Sequence, residues 1–158
     1  MMRAHSPYAD LDLALRLSGR ELVERWIEAG VVAGFVGRLS VRAVSADDGK
    51  ACFACATDAD HANFAGLVHG GVSAALVDVA GAAAALTLLQ PGETLLTTDL
   101  GVRYIAPAPI DTHGLIAEGE VNYRDDRRIV SDVRISSGGQ IVALGTVAVS
   151  IRRPISQA

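Results

Sequence analysis

The chain has 158 residues, which suits one ordinary domain and is too short for two comfortable ones. Half of the residues are apolar but only 4% are aromatic, so the core must be built from small aliphatic side chains. Burying part of this apolar surface between subunits is expected, which predicts an oligomer. The formal net charge of −4 argues against a nucleic-acid-binding protein, whose surface would carry clustered Lys and Arg.

The first third of the chain combines a helical pattern with two strand patterns. From Leu11 to Ala29 the apolar residues recur at helical spacing, which predicts an amphipathic helix with an interruption near Ser18. Alternation of apolar and polar residues over Phe35–Val44 predicts a half-buried strand. A second strand is expected over Lys50–Thr57, joined to the first by the turn Asp47-Asp48-Gly49.

Two cysteines lie in the second predicted strand with C-x-x-C spacing, at Cys52 and Cys55. Residues three apart in a strand point to opposite faces, so neither a redox pair nor half of a zinc site is expected. Both are predicted to be ordinary thiols in a reducing compartment.

No early apolar block accompanies the polar residues Arg3, His5 and Asp10, so no secretory signal is visible and a cytoplasmic location is expected.

An alanine-rich stretch begins near Gly70 and ends before Pro91. It is apolar almost all round, which predicts a buried helix. Its many Gly and Ala residues and the central Asp78 disfavour a membrane span. Four further strands are predicted after it, over Thr94–Ala106, Thr112–Arg124, Arg127–Ser136 and Gln140–Arg152.

One apolar helix followed by an antiparallel meander predicts an α+β fold. In this arrangement, called the hotdog fold, an antiparallel sheet curves around the central Ala-rich helix. We assign residues 33–153 to this domain and residues 1–32 to an N-terminal helical extension.

Gly70 and Gly71 stand where the central helix is expected to begin. The first amides of a helix lack intrahelical partners and carry partial positive charge, so they can hold an oxyanion, although two glycines could equally just ease a tight turn. Asp78 lies inside the same helix, where a carboxylate is costly unless it is paired, hydrogen-bonded or functional. It is therefore a candidate general base or nucleophile.

The segment from residue 63 to residue 78 resembles the signature of the PaaI-like, phenylacetic-acid-degradation branch of the hotdog acyl-CoA thioesterases. The matching residues are Asn63, then His69-Gly70-Gly71, then Asp78. The later run Thr97-Thr98-Asp99, followed by Tyr104 and Pro107, also fits the family. The resemblance covers roughly residues 35–152 and leaves the N-terminal helix outside it.

This resemblance implies hydrolysis of acyl-CoA thioesters to a free carboxylic acid and coenzyme A. It implies Asp78 as general base or nucleophile, and it leaves the choice between these open. The Gly70 amide is the expected oxyanion donor, and Asn63 is expected to orient the attacking water or the substrate carbonyl. His69 supports the loop or polarises the carbonyl, and Thr97 is our choice for the hydroxyl that assists the nucleophilic water.

Binding of the substrate needs further residues. Gly71 is expected to contact the acyl thioester, and Arg127 and Arg128 are candidates for holding the phosphates of coenzyme A. No metal site is expected, because His61 and His69 lack further ligands at familiar spacing. No cofactor is expected either, since no Gly-rich nucleotide fingerprint is present.

Helix geometry adds a prediction about assembly. Eight residues separate Gly70 from Asp78, which is about 12 Å along a helix at about 1.5 Å per residue. An amide and a carboxylate this far apart cannot both contact one carbonyl group. We therefore predict a homodimer with antiparallel helices and two shared active sites, as the family resemblance also implies. Beyond this geometric argument, we expect further assembly as a dimer of dimers, that is, a homotetramer.

Two other functions stay open at this point. An enoyl-CoA hydratase or dehydratase would use a histidine and a carboxylate in differently spaced motifs. A non-catalytic acyl-CoA binding module would keep the fold without turnover. The intact set of Asn63, Gly70 and Asp78 favours hydrolysis over both.

Overall fold

The computed structural model describes residues 13–30, 34–110 and 113–153. In chain order its elements are α1 (Gly19–Ala29), α2 (Gly34–Arg38), β1 (Val41–Asp47), β2 (Lys50–Cys55), a 3₁₀ turn (Ala59–His61), α3 (Gly70–Leu86), β3 (Thr94–Tyr104), β4 (Leu115–Arg124), β5 (Arg128–Ser137) and β6 (Gln140–Arg152). The predicted order of helices and strands is confirmed, apart from the additional α2. The predicted helix start at Leu11 and strand start at Thr112 lie outside the described residues.

Helix α1 begins at Gly19 because Ser18 caps it. The Ser18 hydroxyl accepts a hydrogen bond from the Glu21 amide, and the Glu21 carboxylate accepts one from the Ser18 amide at 2.7 Å. This reciprocal capping box satisfies two amides at the helix start. Gly30, with φ of 68°, ends the helix in the left-handed conformation. The predicted interruption near Ser18 is therefore confirmed.

The predicted strand over Phe35–Val44 is wrong in its first half. Residues 34–38 form the short helix α2, and β1 begins only at Val41. Ser40 has a φ of 55°, and this left-handed residue separates the helix from the strand. The apolar alternation was too short to distinguish a helical turn from a strand. Within β1 the predicted alternation holds, with Val41 and Ala43 buried.

The predicted hairpin between β1 and β2 is present. Asp47 pairs with Lys50, and Gly49 adopts a φ of 72° in the turn between them. Cys52 is half-buried and Cys55 is buried in β2, and both thiols are free. Burial raises the pKa of the Cys55 thiol to about 11. The two thiols, three residues apart in one strand, lie on opposite faces of it, as predicted.

All six strands form one antiparallel sheet in the order β1-β2-β4-β5-β6-β3. Buried and exposed residues alternate along β4 and β5, so these strands have one inner face and one outer face. The inner face packs against α3. This is the predicted hotdog arrangement, and β3 lies at its edge, paired with β6 along its whole length.

Small residues let α3 and the sheet approach closely. Ala80, Ala84 and Leu76 of the helix are fully buried. A Cβ atom added to Gly119 of β4 would overlap the carbonyl oxygen of Ala80, and one added to Gly145 of β6 would overlap the side chain of Val77. The Ala-rich composition of α3 therefore follows from close helix–sheet packing.

The apolar character of α3 is explained by this enclosure. The helix has 17 residues and lies inside the curved sheet. In the part of the chain that the structure describes, no helix is both long enough and apolar enough to cross a lipid bilayer.

Substitution of Gly119 tests the close contact between α3 and β4. Gly119→Ala should lower the free energy of unfolding by about 1–3 kcal/mol, because the added methyl group meets backbone atoms that cannot rotate away. Gly101→Ala in β3 is a matched control, since its added Cβ would lie 4.0 Å from the nearest atom, and it should change stability by less than about 0.5 kcal/mol. Urea unfolding at one protein concentration measures both, and equal stability of the two variants would contradict the contact.

Candidate active site

The loop between β2 and α3 is held in place by the buried side chain of His61, which is 4% exposed. Its Nδ1 atom lies 2.7 Å from Asp58 Oδ1, and its Nε2 atom lies 3.0 Å from the Leu39 carbonyl oxygen. The hydrogen bond from His61 is the main reason that the pKa of the Asp58 carboxyl is lowered. The carbonyl oxygen of His61 also accepts the His69 amide at 2.8 Å. This bond ties the middle of the loop to the residue just before α3.

Asn63 lies within this loop with its side-chain orientation fixed. Its Oδ1 atom accepts hydrogen bonds from the amides of Ala65 at 2.8 Å and Leu67 at 3.1 Å. Because both partners are donors, the accepting atom must be the oxygen, and the NH₂ group must point away from them. That NH₂ group donates to no acceptor within the described residues. It is available to bind a ligand.

Helix α3 begins at Gly70 with His69 as its N-cap. The Nδ1 atom of His69 accepts the Gly71 amide at 2.9 Å, and the His69 carbonyl oxygen accepts the Val72 amide at 2.9 Å. Among the first three amides of the helix, that of Gly70 alone has no acceptor in the described part of the chain. Because Nδ1 accepts, the proton of a neutral His69 ring must be on Nε2. The Gly71 amide, in contrast, is already used by the cap.

Tyr104 is a site residue to which the sequence analysis gave no role. Its hydroxyl donates to the Gly70 carbonyl oxygen at 2.8 Å. The ring lies against Gly70 so closely that an added Cβ would be 3.0 Å from the hydroxyl oxygen. With His69 bound to the Gly71 amide, both polar groups of the 70–71 peptide are held. A lone tyrosine at a strand end gives no sequence signal for this contact.

A cavity of about 500 Å³ opens beside the start of α3. It combines the donor groups with apolar residues from the segment after β3. The lining consists of Asn63, Leu67, Val68, His69, Gly70, Gly71, Ser73, Tyr104, Ile105, Ala106, Pro107, Ala108 and Val142. This lining contains hydrogen-bond donors and apolar surface but no carboxylate.

A second depression of about 600 Å³ lies on the outer face of the sheet. Its walls include Lys50 and Glu120, which form an exposed ion pair at 2.9 Å. Such pairs are well solvated and contribute little binding energy. Within the described residues no group of three or more His, Cys, Asp or Glu side chains could hold a metal ion. The cavity beside α3 is therefore the better candidate for chemistry.

Asp78 lies in the middle of α3, half-buried, and contacts the edge strand. The Thr97 hydroxyl donates to Asp78 Oδ1 at 2.8 Å. A register shift between Thr97 and Asp99 places Thr98 in a bulge, where its hydroxyl donates to the Ala148 carbonyl oxygen at 3.1 Å. The structure thus brings Thr97, and not Thr98, against the carboxylate.

The predicted site residues fall into two separate groups in one chain. Asn63, His69 and Gly70 line the cavity at the start of α3. Asp78 and Thr97 lie eight residues further along the helix, which is about 12 Å along its axis, and neither lines the cavity. One chain therefore holds the donors in one place and the carboxylate in another.

Arg127 lies in the turn between β4 and β5, and Arg128 is the first residue of β5. The Asp125 carboxylate accepts both of their amides at 2.8 Å, and these bonds lower the pKa of the Asp125 carboxyl. Arg128 of β5 pairs with Ser150 of β6. On the other side of β6, Thr97 of β3 pairs with Val149, the residue next to Ser150. The arginine pair is thus at the level of the carboxylate group, and it does not line the cavity.

Comparison with known families supports a thioester-directed site. The sequence matches the family model of the thioesterase superfamily over residues 65–144, which are 80 of its 158 residues. The matched region includes His69, Gly70, Asp78 and Thr97. A comparison with curated proteins gives no match.

Solved structures show the same fold. AziG of S. sahachiroi is 26% identical with a TM-score of 0.72, and the alignment covers 77% of this chain and 98% of that one. A thioesterase of Haemophilus influenzae is 17% identical with a TM-score of 0.76, covering 85% and 93%. The PaaI protein from the phenylacetic acid degradation operon of E. coli is 22% identical with a TM-score of 0.67, covering 73% and 81%.

Removal of the Tyr104 hydroxyl tests its hold on the start of α3. Tyr104→Phe should lower kcat for thioester hydrolysis by about 2- to 12-fold, because one neutral hydrogen bond contributes about 0.5–1.5 kcal/mol. Tyr123→Phe is the matched control, since that hydroxyl bonds Asp125 on a distant turn, and kcat should stay within about twofold. Steady-state kinetics of both variants measure the difference. Equal kcat values would show that the Tyr104 contact is dispensable.

Proposed function

This chain belongs to the thioesterase superfamily, and from that premise we propose that it hydrolyses acyl-CoA thioesters to a free carboxylic acid and coenzyme A, as a PaaI-like enzyme. One observation carries the proposal. The start of α3 presents a Gly70 amide that has no acceptor among the described residues, and the NH₂ group of Asn63, likewise without an acceptor there, lines the same cavity. The middle of α3 presents the Asp78 carboxylate, bound by the Thr97 hydroxyl. These are the groups needed to stabilise an oxyanion and to activate water.

The donors at the start of α3 bind the thioester carbonyl in this proposal. Negative charge develops on that oxygen as water attacks, and one donor aimed at it contributes about 2.7–4 kcal/mol in comparable sites. The Gly70 amide is the main donor, and Asn63 adds its NH₂ group. His69 fixes the cap through Nδ1, which leaves its Nε2 proton free to polarise the carbonyl. Gly71 contributes close approach of the backbone rather than its amide.

Asp78 supplies the other half of the reaction. As a general base its carboxylate removes a proton from water, the hydroxide attacks the carbonyl carbon, and the C–S bond breaks as the thiolate leaves and takes up a proton. As a nucleophile the carboxylate would attack directly and form an anhydride that water then cleaves. In both routes the Thr97 hydroxyl, 2.8 Å from Asp78 Oδ1, orients the carboxylate and the incoming water.

The two halves meet if two chains pair through β3. This edge strand has 11 residues and carries the exposed apolar side chains Leu96 and Leu100. A long apolar edge with open backbone groups is a template for pairing with another strand. Antiparallel pairing of two β3 edges would set the α3 helices side by side, with Gly70 of one chain near Asp78 of the other. We therefore propose a homodimer with two shared active sites.

The proposal also includes further assembly of the dimer and binding of the coenzyme A part of the substrate. Val44, Ile116 and Leu144 stay 37–38% exposed on the outer face of the sheet, which favours a dimer of dimers. Arg127 and Arg128 of the chain that supplies Asp78 would bind the phosphates of coenzyme A. The free thiols fit a reducing, cytoplasmic compartment.

Substitution of Asp78 tests the catalytic role. Asp78→Asn keeps the size of the side chain but removes its basicity, so kcat should fall by at least about 100-fold. Release of free coenzyme A from aromatic, short and long acyl-CoA substrates gives the rate. Asp132→Asn is the matched control, because this carboxylate lies on the outer face of the sheet, bound by Asn122 and Thr146, and it should retain wild-type turnover.

Three outcomes would contradict the proposal. Turnover of Asp78→Asn at the wild-type rate, with an intact fold, would remove Asp78 from the mechanism. Loss of enoyl absorbance from crotonyl-CoA without release of coenzyme A would indicate a hydratase instead. A binding module without turnover would retain acyl-CoA and release no thiol from any substrate.

A further inference from the structure

Ser73 is a buried polar residue of the cavity that the reaction described above does not use. It is 5% exposed, and it lines the cavity one helical turn after Gly70. Serine in a helix often returns its hydroxyl to a carbonyl of the preceding turn, as Thr87 does toward Ala84 in the same helix at 2.7 Å. The Ser73 hydroxyl makes no such bond to any described residue, and the Gly70 carbonyl is taken by Tyr104.

The surroundings of the Ser73 hydroxyl indicate which ligands the cavity would prefer. Much of the cavity wall is apolar and includes the buried side chains of Val68, Ala108 and Val142. A ligand that fills the cavity would exclude water from the Ser73 hydroxyl, and a hydroxyl left without a partner in apolar surroundings is costly. Such a group discriminates strongly between ligands that satisfy it and ligands that do not, because an apolar ligand leaves it unpaired.

The position of Ser73 relative to Gly70 fixes which part of a substrate it can reach. Residues three apart on a helix lie on one face, with about 5–6 Å between their side-chain origins. With the carbonyl oxygen of the thioester on the Gly70 amide, Ser73 lies about one turn further along α3. A substituent on the second acyl carbon stays beside the carbonyl, whereas one on the third carbon extends to the next turn.

We propose that Ser73 is a specificity-determining residue that hydrogen-bonds an oxygen substituent on the third carbon of the acyl chain. The substrate class is then 3-hydroxyacyl or 3-oxoacyl thioesters rather than unsubstituted ones. This inference rests on the proposed thioester hydrolysis. Because Ser73 is buried in an apolar setting, we assign it to the acyl chain of the substrate and not to the thiol part of coenzyme A, which carries polar amide groups.

Matched substrates test the proposal. Wild-type protein should hydrolyse 3-hydroxybutyryl-CoA with a higher kcat/KM than butyryl-CoA. Ser73→Ala should lower kcat/KM for 3-hydroxybutyryl-CoA by about 10-fold, the upper range for one neutral hydrogen bond, and leave butyryl-CoA unchanged or slightly faster. Ser150→Ala is the matched control, because Ser150 has a buried hydroxyl without a partner among the described residues but does not line the cavity. It should keep the wild-type preference.

Several results would overturn the inference. Equal losses on both substrates would show that Ser73 is structural, and no loss on either would show that its hydroxyl contacts no substrate. The loss of kcat/KM in Ser73→Ala can also be compared between the N-acetylcysteamine thioester and the ethyl thioester of one acyl group. A loss seen only with the N-acetylcysteamine thioester would show that Ser73 contacts the thiol part of the substrate. If wild-type protein releases thiol from no thioester, the proposed function itself fails, which distinguishes the two failures.

Discussion

Helix α3 is held rigidly inside the sheet, and this fixes the distance between the Gly70 amide and the Asp78 carboxylate. Glycines in β4 and β6 allow the helix to pack closely against the strands, where a single added methyl group would overlap helix atoms. Neither end of α3 can therefore bend to bring the two groups together. A thioester carbonyl is small compared with about 12 Å of helix, so the proposed reaction requires a second chain.

The loop before α3 is also held rigidly, by its own hydrogen bonds. His61 and its hydrogen bonds hold the loop against the segment before β1. The cap at His69 uses the Gly71 amide, and Tyr104 uses the Gly70 carbonyl. Within the described part of the chain, the Gly70 amide and the NH₂ group of Asn63 are left without acceptors. Preorganised donors of this kind need no rearrangement as charge develops, which is the physical basis of oxyanion stabilisation.

Much of this could be predicted from the sequence, and the parts that could not have physical causes. The central helix was predictable from its uniformly small apolar residues, and the strands of the meander were predictable from their alternation of apolar and polar residues. Asp78 was predictable as a site residue because its charge is out of place in such a helix. The α2 helix was missed because Ser40 adopts a left-handed conformation that no pattern of apolar residues reveals. No role was predicted for Tyr104 or Ser73. Their roles depend on which neighbouring groups already have hydrogen-bond partners, and that is a property of the folded chain.

The central claim is that each site combines the donors of one chain with the carboxylate of another. Mixing inactive Asp78→Asn chains with inactive Asn63→Ala chains, under conditions where subunits exchange, tests it most directly. Half of the dimers would then be mixed, and each mixed dimer would contain one intact site and one doubly defective site, so activity should recover to about a quarter of the wild-type value. Activity that stays at the average of the two separate variants would contradict the shared site.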